Sequence, residues 1–142
     1  MATYDIGAIR SALKSLLEGV SSVSVVYDFP QAQIASYPAV IFDLENEDAQ
    51  FLDDANNTRI LTFKIWVVCE IPTEGIAAAK DLLDSVTKDV VNVLEKLSNQ
   101  TLSGNADWLI PVIGKRDQSN SPEGNFFYQE LLLKVNVVSS IL

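Results

Sequence analysis

An α+β domain, with a mainly antiparallel sheet and two helices packed on one of its faces, is the fold this sequence predicts. Three observations predict it. Two segments carry apolar residues at helical spacing, five segments rich in β-branched and aromatic residues read as strands, and the order along the chain is α-β-β-β-α-β-β with short or acidic connections. No repeat, low-complexity run or linker divides residues 1–142, so one domain is expected, within the usual size of roughly 100 to 150 residues.

The first helix rests on Ile6, Ile9, Leu13, Leu16, Leu17 and Val20, which fall on one face at 3.6-residue spacing, with Asp5 placed to cap it. Val23 to Tyr27 is short and β-branched, bounded by serines and by Asp28-Phe29-Pro30, and reads as a strand. A second strand runs from Tyr37 to Leu44, with Pro38 acceptable near its start because there the missing N–H needs no partner. Arg59 to Glu70 is the clearest strand: Leu61, Phe63, Ile65, Val67 and Cys69 make one apolar face, and the other is mixed. After Pro72-Thr73 a long helix to about Ser98 carries the stripe Ile76, Ala79, Leu83, Val86, Val90, Leu94 and Leu97. Trp108 to Ile113 is a strand that Pro111 assigns to an edge or a bulge. A polar loop is expected over Gly114 to Asn125, and Phe126 to Val138 closes the chain as a strand with Leu131, Leu133, Val135 and Val137 on its apolar side.

Composition limits the chemistry. The chain has no histidine, which removes the commonest general base at neutral pH and the usual partner of a serine or cysteine nucleophile. None of the 6 glycines stands in a phosphate-cradling run. The single cysteine, Cys69, allows no intrachain disulfide and lies in phase with an apolar strand face, where a buried inert thiol is expected. No cofactor, metal or catalytic residue is expected. Basic residues number 10 against 19 acidic, a net charge of −9, and Lys115-Arg116 is the one adjacent basic pair, so gripping a phosphate backbone is disfavoured. No apolar run reaches the 18 or so residues a membrane span needs, and the first residues lack the pattern of an export signal. A soluble, cytosolically made product is the expectation.

The stretch Asp43 to Asp54, DLENEDAQFLDD, holds six carboxylates in twelve residues. Its alternation resembles the opening of a calcium loop, but Asp48 and Asp54 stand where such a loop requires glycine and glutamate. Paired carboxylates also serve acid/base catalysis, which needs one of them held in an apolar pocket. A solvated hairpin loop is the plain reading. Against it, Phe51 and Leu52 sit side by side among the charges, and a loop over about 45–57 is far longer than the two to five residues usual for hairpins. A protruding hairpin that docks on a partner is the sharper expectation.

The amphipathic first helix, the strand opening Tyr37-Pro38-Ala39-Val40, the acidic loop ending in Asn57-Thr58-Arg59, the long aromatic strand, the long helix and the Trp108-to-Val138 strand pair resemble a bacteriophage tail terminator, or tail-completion, protein. The resemblance covers nearly the whole chain as an arrangement. It implies a non-enzymatic virion protein, assembled in the host cytoplasm, that forms a hexameric ring, caps the tail tube protein, ends tube growth and offers a surface to the head–tail connector or neck protein. DNA would pass through such a ring unbound, a behaviour suited to six copies with about −54 of formal charge. By the same resemblance Glu47, Asp48, Phe51, Leu52, Asp53 and Asp54 belong to a docking loop. Trp66, Val68, Phe126 and Tyr128, on the mixed strand faces, are expected either between subunits or as second-face core. A neck or connector protein of the same particle is the nearest alternative reading. A small acidic ligand-binding domain or enzyme, and a nucleic-acid module, are alternatives of other classes.

Overall fold

The computed structural model describes residues 4–30, 33–52, 55–71, 75–121 and 124–140. The chain folds as α1 (Ile6–Glu18), β1 (Val25–Tyr27), β2 (Ala39–Phe51), β3 (Asn56–Glu70), α2 (Ile76–Glu95), β4 (Trp108–Ser121) and β5 (Gly124–Ser140), with 3-10 turns at Leu97–Asn99 and Leu102–Gly104. This is the predicted α+β order. Asp5 caps α1 by accepting a hydrogen bond from the Ala8 N–H at 3.1 Å, satisfying one of the amides a helix start leaves unpaired. The end of α2 is held by side chains instead: Asn99 Nδ2 donates to the Val93 carbonyl at 2.9 Å and Gln100 Nε2 to the Leu94 carbonyl at 2.8 Å.

The five strands form one sheet in the order β1-β2-β3-β5-β4, antiparallel except for the parallel pair β1 and β2. Alternation then sorts the side chains. Phe42, Leu61, Phe63, Ile65, Val67, Leu131, Leu133, Val135 and Val137 point to one face and are buried beneath Ile9, Leu13 and Leu17 of α1 and Ala79, Leu83, Val86, Val90 and Leu94 of α2. Phe42 and Phe63 meet edge to face, 6.0 Å between centroids, in the middle of this layer. The opposite face carries no helix among the described residues.

Two expectations are corrected. The acidic stretch is not a long loop: β2 runs on to Phe51 and pairs residue by residue with β3 down to Asn57, leaving a short tip between them. A β-bulge between Leu44 and Asn46 lets the polar extension continue the ladder at a changed twist. The segment expected as a loop from Gly114 to Asn125 is likewise the far half of a β4–β5 hairpin, with a second bulge between Ile113 and Arg116. The physical reason is common to both. Polar residues with unpaired backbone gain a ladder of hydrogen bonds by extending an existing sheet, whatever their low strand propensity. Pro111 does lie on an edge strand, as its missing N–H required.

At the second bulge a buried amide replaces the missing ladder. Gln129, 4% exposed, donates from Nε2 to the carbonyls of Gly114 and Glu130, each at 3.0 Å, and its Oε1 accepts from Arg116 Nε at 2.9 Å. Gly114 is needed there because a Cβ would stand 3.0 Å from the Glu130 carbonyl oxygen.

Candidate functional site

Two surfaces carry the residues singled out in the sequence. The first is the β2–β3 hairpin. Its base is held by ion pairs between its own two strands and tied to the body by Arg10 of α1 and Glu130 of β5. Arg10 of α1 approaches Asp43 at 4.0 Å, Lys64 of β3 holds Glu45 at 3.2 Å and also Glu130 of β5 at 3.5 Å, and Arg59 holds Glu47 at 3.1 Å. Tyr4 completes the last cluster: its hydroxyl donates to Glu47 at 2.8 Å while the Arg59 guanidinium lies over its ring, 4.5 Å from the centroid. The hydrogen bond to Glu47, with burial adding to it, raises the Tyr4 pKa. The Lys64 pKa is raised chiefly by its hydrogen bond to Glu45. These partly exposed pairs orient the hairpin more than they stabilise it, since such pairs are worth at most about 1 kcal/mol each.

Towards the tip the ladder continues to Phe51 while the side chains open to solvent. Asp48 is exposed, and Phe51 and Leu52 leave 69% and 52% of their surface in solvent. Asp53 and Asp54 lie outside the described residues. The hairpin therefore presents an apolar pair on a preformed two-stranded arm, and Asn56 and Asn57 on its second strand are backed by the end of β5.

The second surface is the helix-free face of the sheet. Val68 stands opposite Tyr128, Glu70 opposite Phe126 and Ile41 opposite Trp66, so β2, β3 and β5 bring all four predicted contact residues to one side. With Ile41 and Ser119 they line a shallow groove of about 220 Å³. Tyr37 stacks on Phe126 at 5.4 Å and Lys64 lies 5.9 Å from the Trp66 ring centre, bounding the groove at opposite ends. None of the four is core beneath a helix. Ile41 was not singled out from the sequence, although its alternation with the buried Val40 and Phe42 already put it on this face.

Cys69 is fully buried in the core, and burial pushes its thiol up to about 11. Among the described residues no group of three or more carboxylates and cysteines could hold a metal ion, and no helix is long and apolar enough to cross a membrane. A cleft of about 630 Å³ between α1 and the 3-10 turns is lined by small and amide side chains such as Ser11, Ser15, Ser98 and Asn99, and has no ionisable group in its wall.

No family profile matches the sequence, and no curated protein matches it. The fold is similar to that of a chain in the solved structure described as the virion of a native gene transfer agent particle. The two superpose with a TM-score of 0.50 at 18% identity, over 96% of this chain and 100% of that one. At that identity the likeness establishes the shared fold alone.

Proposed function

We propose that the chain is a structural component of a phage-like virion that assembles into a closed ring, hexameric by its resemblance to tail terminators, and caps the tail tube. The observation that carries this reading is the bare sheet face, where Ile41, Trp66, Val68, Phe126 and Tyr128 form an apolar groove with no helix over it among the described residues. Closed rings are built head to tail from two different patches per subunit, and the groove supplies the apolar area of one of them. The hairpin tip, with Asp48, Phe51 and Leu52 exposed, is the arm that reaches the tail tube protein or the neck. The fold likeness to a chain of a virion particle supports the assignment. No catalytic step is part of it, and the net charge of −9 per copy suits a channel through which DNA slides.

Light scattering and negative-stain imaging, with and without tail tubes, test the proposal. Rings, or plugs at one tube end, are expected, and Trp66→Ser with Tyr128→Ser should leave a folded monomer. A wild-type chain that remains monomeric and ignores tubes refutes it. A neck or head–tail connector role in the same kind of particle would use the same two surfaces. Binding to a connector complex in preference to tubes would select that role.

A further inference from the structure

The sheet has two open edges. β1 covers β2 only from Ala39 to Ile41, leaving the rest of β2 bare on that side, and β4 has β5 on one side alone. In an antiparallel ladder every second N–H of an edge strand points outward, and a row of such donors is a template for a strand of another chain. Both rows are interrupted. On β2, the outward N–H of Leu44 donates to Asp43 Oδ1 at 2.9 Å and that of Glu47 to Asn46 Oδ1 at 2.8 Å. On β4, the N–H of Leu109 donates to Gln100 Oε1 at 3.0 Å, Pro111 has none to offer, and the N–H of Gln118 donates to Asp117 Oδ1 at 2.8 Å. A bulge bends each edge at its middle.

These are independent devices, drawn from two strands and a 3-10 turn, that all act on the outward donors. We propose that Asp43, Asn46, Gln100, Pro111 and Asp117 guard the sheet edges against strand pairing with a second copy of this chain. Each guard occupies or removes a donor that an incoming strand would need. The need is physical: β4 is a 14-residue edge with Ile110, Val112 and Ile113 exposed, the profile of an aggregation template if its donors were open. Guarded edges confine association to the sheet face and the hairpin.

The test is the combined variant Asn46→Ala, Pro111→Val, Asp117→Ala. Gln100 and Asp43 stay, because Gln100 also holds the end of α2 and Asp43 meets Arg10. With folding verified by near-ultraviolet circular dichroism, the variant should convert to pelletable, thioflavin-binding assemblies at least about tenfold faster than the wild type. A folded variant that stays as dispersed as the wild type overturns the proposal. Amide exchange in the single variants gives a second reading that does not depend on the combined one folding. Asn46→Ala should speed exchange at Glu47, and Asp117→Ala at Gln118, with distant amides unchanged; unchanged rates at both positions also overturn it. Uncontrolled growth and ring formation are separate readouts, so this result is independent of whether rings form.

Discussion

Replacing Phe51 and Leu52 together by serine separates a docking role from a folding role at the hairpin tip. With 69% of Phe51 and 52% of Leu52 already in solvent, truncation removes little buried area, and the expected loss of stability is at most about 0.5 kcal/mol. By contrast Phe42, at the same sheet but fully buried, should cost about 3–5 kcal/mol as alanine. With a urea slope of about 1–3 kcal/mol/M the two cases differ plainly: the tip variant shifts its midpoint by no more than about 0.5 M, the core variant by at least about 1 M. The docked state is another matter. Burying the exposed part of the two side chains against a partner is worth about 2–3.5 kcal/mol per tip, so the variant should bind its tube or neck partner roughly 30- to 300-fold more weakly. Sedimentation with tail tubes, quantified by band intensity, reads that difference. Wild-type affinity in the folded variant would refute the docking argument, and a midpoint shift like that of Phe42→Ala would show the tip to be structural.

Other expectations follow from single groups. Cys69 should resist thiol reagents at pH 8 in the native state and react fully in urea; rapid native labelling would contradict its burial. Because its folded pKa, about 11, lies above the unfolded value of roughly 8.5, its contribution is complete below that unfolded value and is lost as pH rises towards 11, which an alkaline unfolding series would show. Gln129→Leu should cost about 1–3 kcal/mol in urea unfolding, since it strands the carbonyls of Gly114 and Glu130 and the Arg116 Nε; a neutral change would mean water replaces the amide without loss. Glu47→Gln removes the negative acceptor that raises the Tyr4 pKa, so the phenol should titrate closer to its ordinary value in ultraviolet absorbance at alkaline pH. An unmoved Tyr4 titration would dissolve the proposed clamp at the hairpin base.

The amino-acid sequence by itself determined the layers of this protein. The stripe of α1, the alternation Leu61, Phe63, Ile65, Val67 and the middle of the α2 stripe from Ala79 to Leu94 name core residues, because burial periodicity is a local property that survives any choice of topology. The ends of the α2 stripe do not, since the helix stops at Glu95 and leaves Ile76 and Leu97 exposed. Pro111 placed its strand at an edge for an equally local reason, a missing donor. The site was legible in part. Trp66 and Val68 stand on the second face of a strand whose first face is core, and so do Phe126 and Tyr128; that much alternation could say. Their convergence with Ile41 and Ser119 into one groove is a matter of strand order and register, set by pairings between β3 and β5 about 60 residues apart along the chain. The acidic stretch shows the limit most clearly. Its charges suggested a loop, because propensity scores a residue without its partners. In the folded chain Arg10, Arg59 and Lys64 meet Asp43, Glu47 and Glu45, and β3 supplies the ladder that keeps the backbone extended. Those partners come from other elements, and only the tertiary structure brings them within reach.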